Sequence, residues 1–119
     1  MKKSILNPCR VRRINGGFSF IPHRFLTEGF YGCLSNEEKN LYIFLVLASD
    51  KNGLSYYSDK SICTYTGLTQ RVYSKARDKL IEKDLIEFNG RIFQVLELPF
   101  HPPGSTLIKN LVQQIGKRI

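Results

Sequence analysis

Few side chains in this chain can move a proton or attack a substrate near neutral pH. His23 and His101 are the only histidines, and neither stands in a motif with a nucleophile, a carboxylate pair or a set of metal-ligand residues. The sequence has no Gly-x-Gly-x-x-Gly or Gly-x-x-x-x-Gly-Lys-Ser/Thr run, so phosphate cradling by those loops is excluded. Cys9, Cys33 and Cys63 are odd in number, widely spaced and without a Cys-x-x-Cys pair. That pattern argues against a disulfide framework and a structural zinc site, and reduced, partly buried thiols are expected. The expectation is a protein that is not an enzyme and takes no metal or cofactor.

What the chain does offer is cationic and hydrogen-bonding side chains, unevenly placed. Its net charge is +8 over 119 residues. Residues 1–24 carry six bases and no acid, residues 98–119 carry Lys109, Lys117 and Arg118 and no acid, and residues 25–97 hold nine bases against ten acids. A nearly neutral middle flanked by two basic ends suits a folded module whose arms meet a polyanion. Plain solubility is the bland alternative. An acidic membrane surface fits less well, because no amphipathic basic helix stands beside the N-terminal cluster.

The elements that position these side chains follow from length and periodicity. The chain is of single-domain size, and with 42% hydrophobic residues, including eight Phe and six Tyr, it can build a core. The longest apolar run, Leu41 to Ala48, is far short of the roughly 20 residues of a membrane span, and no signal-peptide core follows Met1. A cytoplasmic protein without a membrane partner is expected. Ile5 to Phe20, with Gly16-Gly17, reads as an irregular arm or an edge strand. A brief helix after Pro22 is expected to put Phe25, Leu26 and Phe30 on one apolar face, ending at Gly29 or Gly32.

Ser35-Asn36-Glu37-Glu38 is a capping box that starts a central helix. Its residues Leu41 to Ala48 are apolar nearly all round, which predicts a helix buried on all sides. Asp50-Lys51-Asn52-Gly53 stops it, Leu54 to Tyr57 reads as a short strand, and Ser58 caps a helix over 59–66. Gly67-Leu68-Thr69 supplies a tight turn, and Thr69 caps a helix from about Gln70 to Lys83 with Val72, Tyr73, Ala76 and Leu80 inward. Two helices joined by a short glycine-bearing turn make a helix-turn-helix. Asn89-Gly90 between two apolar runs then predicts a two-stranded hairpin with a two-residue turn.

From Leu34 to Leu98 this order resembles the winged helix-turn-helix family of bacterial and phage DNA-binding proteins. Ile62, Gly67-Leu68-Thr69, Ala76, Leu80 and Asp84-Leu85-Ile86 carry the resemblance. Asp84 departs from it, since many relatives have glycine there, but Asp enters the left-handed region more readily than most residues. The resemblance implies a mainly α fold with a small β-sheet (α+β). Its parts are a basic arm at 1–20, the winged-helix domain at 21–98, a linker at 99–104 and an amphipathic C-terminal helix at 105–119.

The resemblance also implies that the second helix of the pair enters the major groove of double-stranded DNA. On that helix Gln70, Arg71, Ser74 and Lys75 are the expected base readers, since Arg suits guanine, Gln suits adenine and Ser serves either. Arg77 and Lys79 on the flanks, Arg91 at the hairpin tip, and Arg10, Arg12 and Arg13 in the arm are expected on phosphates or in a minor groove. Each also fits an ordinary solvated surface. Transcription regulation or an accessory role in replication or mobile elements are the expected settings. The alternative in a different class is a protein-protein adaptor within a replication or transposition complex, because the fold alone does not set function.

Two features fall outside that scheme. Tyr56, Tyr57, Tyr65 and Tyr73 can line a ligand pocket, although core and interface places are commoner for such residues. Leu107, Ile108, Leu111, Val112 and Ile115 form a stripe too apolar for water. Folding back on the central helix gives a monomer. Pairing gives a homodimer through the C-terminal helix, the preferred reading because two-fold helix-turn-helix proteins double their site.

Overall fold

The computed structural model describes residues 4–102. Residues 4–18 are exposed throughout, with one 3₁₀ turn at Pro8–Arg10 that Asn7 caps by accepting the Cys9 amide at 3.1 Å. The edge-strand alternative is corrected: this stretch pairs with no strand of the sheet, so it is an arm. Cys9, on that arm, is exposed rather than partly buried, while Cys33 and Cys63 are half-buried.

Helix α1 is one turn, Arg24–Thr27, and Pro22 starts it by accepting the Phe25 amide. Phe25 and Phe30 are buried, but Leu26 is 67% exposed, which corrects the expected three-residue face. Neighbouring helical residues point about 100° apart, so a single turn cannot bury both Phe25 and Leu26 against one surface. A second 3₁₀ turn, Tyr31–Cys33, leads into α2, Asn36–Ala48. Its capping box is present in both directions, Glu38 N–H to Ser35 Oγ and Ser35 N–H to Glu38 Oε1, each 3.2 Å.

On α2, Leu41, Tyr42, Leu45 and Val46 are buried. The all-round burial expected of this helix is corrected, since Ile43 is 38% and Leu47 72% exposed. Ile43 and Leu47 stand one turn apart on the face of α2 turned away from the buried Leu41 and Leu45, and that face stays open to solvent. After α2, Asp50 Oδ1 accepts the Asn52 and Leu54 amides at 2.8 and 3.0 Å and turns the chain into strand β1, Leu54–Ser55. Helix α3, Asp59–Thr66, is capped by Ser58 and ends on Gly67 at φ 78°, a left-handed conformation that favours glycine. Helix α4, Gln70–Glu82, is capped by Thr69, whose side chain accepts the Val72 amide at 3.2 Å.

Asp84 follows α4 at φ 64°, and Leu85 N–H closes the helix end on Leu80 O at 3.1 Å. Asp thus takes the left-handed place filled by glycine in many winged helices. Strands β2, Ile86–Phe88, and β3, Phe93–Val95, form the wing. The sheet is three-stranded and antiparallel, in the order β1-β3-β2, because Leu54 and Ser55 pair with Gln94 and Phe93. The two-stranded wing is present as expected, and the short strand expected at Leu54 to Tyr57 is β1, reduced to two residues and paired to the wing. The turn is also shifted by one residue: Phe88 pairs with Phe93, Asn89 N–H bonds Ile92 O, and Gly90 and Arg91 form the tip. Asn89 Oδ1 causes the shift by accepting both the Arg91 and Ile92 amides, at 2.9 and 2.8 Å.

The core lies between α2, α4 and the sheet, where Leu41, Leu45, Ile62, Tyr73, Leu80, Leu85 and Phe93 have no exposed surface. Each large apolar side chain so buried contributes about 1.5 to 3 kcal/mol. One ion pair crosses the domain: Lys83 Nζ donates to Glu38 Oε1 at 2.6 Å and to Cys33 O at 2.8 Å. The architecture is the α+β winged helix-turn-helix. The expected C-terminal helix at 105–119, and the dimer it was to form, lie outside the described residues.

Candidate nucleic-acid interface

Burial decides which face of α4 is free. Tyr73, Ala76 and Leu80 point into the core and Val72 is half-buried, so the opposite face turns to solvent. Gln70, Arg71 and Lys75 are exposed and Ser74 is half-buried. The four sit in the N-terminal half of the helix as two rows one turn apart, Gln70 with Ser74 and Arg71 with Lys75. In the first row Gln70 Nε2 approaches Ser74 Oγ at 3.5 Å, and the Cys63 thiol of α3 approaches Gln70 Oε1 at 3.9 Å. Burial and the charge of Asp59 push that thiol above its ordinary pKa. In the second row neither Arg71 nor Lys75 has an ion-pair partner among the described residues.

The C-terminal half of the helix differs. Lys79 Nζ pairs with Glu82 at 3.3 Å on the surface. Arg77 is engaged within the domain: its Nε donates to Asp78 at 3.2 Å, and its guanidinium lies 5.4 Å from the Tyr73 ring centre and 5.3 Å from that of Phe88. Burial opposes its charge, but Tyr73 and Asp78 outweigh it and hold the pKa above the ordinary value. Tyr73 in turn donates its hydroxyl to Asp59 Oδ1 at 2.5 Å, and burial together with that bond pushes its pKa well up. Phe88 stacks on Phe93 at 4.1 Å. Asp59, Tyr73, Arg77 and Phe88 thus link the start of α3, the middle of α4 and the wing.

Arg91 is exposed at the wing tip, and Arg10, Arg12 and Arg13 are exposed on the arm. The structure therefore brings Gln70, Arg71, Ser74 and Lys75 together on one solvent face, and leaves the arm arginines as a separate group. Sequence reasoning did not find the Tyr73–Asp59 bond or the Arg77 stack. The alternation of Asp59 and Tyr73 between two helices of one motif was the available signal, but it fixes no distance.

The tyrosines take core and surface-cluster places rather than lining one pocket. Tyr73 is core, while Tyr57 and Tyr65 pack edgewise and stacked on Phe44, with centroids 5.4 and 5.6 Å away, as a half-open surface cluster. A cleft lies elsewhere, between the arm and α2. No group of three or more potential metal ligands and no helix long and apolar enough to cross a membrane occurs among the described residues.

Residues 31–86 match the family model described as a helix-turn-helix domain. The match runs from the turn before α2 through α3 and α4 to the first residue of β2. Comparison with curated proteins and with solved structures gives no match.

Proposed function

We propose that this chain, whose residues 31–86 form a helix-turn-helix domain, binds double-stranded DNA by placing the N-terminal half of α4 in the major groove. The observation that carries the reading is the exposed Arg71–Lys75 row, without an ion-pair partner among the described residues, beside Gln70 and Ser74 and directly after the Thr69 cap. A side chain already held by an intramolecular partner must give that partner up before it reads a base. Among the described residues Arg71 and Lys75 have no ion-pair partner to give up. Arg91 and the arm residues Arg10, Arg12 and Arg13 would hold phosphates or a narrow minor groove on either side.

In this reading the protein acts by binding, not catalysis, as a cytoplasmic regulator of transcription or an accessory factor in replication or mobile-element movement. A second reading, a protein-protein adaptor, is favoured by one observation: Ile43, Leu47, Tyr57 and Tyr65 leave an exposed apolar surface on the side of α2 and α3. Selection of bound fragments from a random duplex library separates the two. The DNA reading expects an enriched motif of a few base pairs that Arg71→Ala relaxes at one position. Recovery of the library unchanged at every salt concentration would favour the adaptor.

A further inference from the structure

The wing tip carries an exposed arginine, Arg91, but the tip alone does not set where that arginine stands relative to α4. Asn89 N–H bonds Ile92 O and Asn89 Oδ1 accepts the Arg91 and Ile92 amides, so among the described residues the hydrogen bonds of the tip close within it. Strand β2 lies at the sheet edge, bonded to β3 alone. On the far side β1 meets β3 at Phe93 and Gln94, so from Phe93 towards the tip the ribbon has no third strand beside it. A two-stranded ribbon of this kind is marginal by itself and keeps a fixed direction only where side chains brace it.

Arg77 is placed to be that brace. Its guanidinium lies 5.3 Å from the Phe88 ring centre and 5.4 Å from that of Tyr73. Phe88 is the last residue of β2, directly before Asn89, and stacks on Phe93 of β3 at 4.1 Å with the ring planes 18° apart. A hold on Phe88 is therefore a hold on both strands where the tip begins. Tyr73 has no exposed surface and donates its hydroxyl to Asp59 at the start of α3, so the α4 side of the clamp is fixed from two helices. The remaining contact, Arg77 Nε to Asp78 Oδ1 at 3.2 Å, uses a carboxylate that is 69% exposed, and such a surface pair adds little. The planar guanidinium bridging two rings does the holding. On α4 Gln70, Ser74 and Arg77 follow at i, i+4 and i+7, so the clamp closes where one row of candidate base readers ends.

We propose that Arg77 is a positioning residue that locks the wing to α4, so that Arg91 meets DNA at a fixed offset from Arg71 and its neighbours. The fixed offset rests on the DNA reading above, in which α4 and the wing engage one duplex, whereas the lock itself belongs to the free protein. A wing already held loses little freedom on binding, and Arg91 then contributes its contact in full. A loose wing has to be ordered first, which offsets most of that contact.

Arg77→Lys in the full-length protein tests the lock, because lysine keeps the charge but loses the flat face that bridges the rings. Phe88→Leu removes the ring from the wing side and keeps apolar bulk there. In NMR relaxation without DNA, the backbone amides of Gly90, Arg91 and Ile92 should become more mobile in either variant than in the native protein, with those of α2 and α4 unchanged. On one duplex, Arg91→Ala should weaken the native protein at least about threefold more than it weakens Arg77→Lys. Tip amides as rigid in both variants as in the native protein would overturn the lock. Loosening of α2 and α4 together with the tip would overturn it too, since Arg77 would then support the core and not the wing. Equal losses for Arg91→Ala in the two backgrounds would overturn the fixed offset. Absence of any complex with the native protein would end the DNA reading instead, and the tip amides, measured without DNA, would still decide the lock.

Discussion

Arg71 and Arg77 stand six residues apart on α4, yet their surroundings give them different tasks. Arg71 is exposed and has no ion-pair partner among the described residues, whereas the side chain of Arg77 retains 21% of its exposure between the Tyr73 and Phe88 rings. Arg71→Ala should cost about 1 to 3 kcal/mol on the preferred duplex and relax one base position. Arg12→Ala should weaken every sequence alike, and competition titrations on specific and random duplexes compare the two. Equal losses on both for Arg71→Ala would remove it from the readers. For Arg77→Ala the loss should appear without DNA, as about 1 kcal/mol of stability read from the urea midpoint. An unchanged midpoint with weakened DNA binding would make Arg77 a phosphate contact instead. Sequence spacing placed both residues towards the solvent side of α4. It could not show that the wing folds back over one of them.

At the scale of elements, two joints set how α2, α4 and the sheet meet. Glu38 belongs to the α2 capping box and to the Lys83 pair at the end of α4. Burial raises its pKa, but the hydrogen bonds and charge of Lys83 and the Ser35 amide outweigh that and hold it below the ordinary 4.5. A carboxylate with a depressed folded pKa adds stability above its unfolded value, and that contribution is lost as pH falls through the folded value. The urea midpoint of the native protein should therefore drop more between pH 6 and about pH 3 than that of Glu38→Gln. Equal drops would show that the pair adds nothing.

The second joint is Gly53, at φ 85°, where an added Cβ would lie 2.6 Å from Val95 O, and where Gly53 O accepts the Val95 amide at 2.8 Å. Gly53→Ala should cost about 2 kcal/mol or more, with strain and crowding acting together, and thermal unfolding measures it. A loss under about 0.5 kcal/mol would mean that the β1–β3 junction gives way freely. The capping box, the Thr69 cap and the Asp84 turn were legible because each is written within a few residues. The pairing of the short strand β1 with the wing and the shifted wing turn were not. Leu54-Ser55 meets Phe93-Gln94 across some 40 residues, and the turn register depends on one Asn89 side chain choosing two amides.

At the scale of the whole molecule, the helix-turn-helix and its order relative to the wing could be read from sequence, because helical periodicity and the glycine turn are local signals. The cleft could not be read, since Phe18, Tyr42 and Leu98 meet only through the fold. Exposure of Leu47 was likewise hidden, as an apolar helix carries no mark of which side its neighbours leave open. The charge distribution was legible and leads to the most direct test. The exposed bases of the arm, α4 and the wing tip make four to six phosphate contacts plausible in number, each adding a slope of about −0.9 to log K against log salt. A titration of the full-length protein with duplex DNA across a salt series should give a slope of about −4 to −5. A flat response, with no complex even at low salt, would contradict the claim that this chain binds DNA.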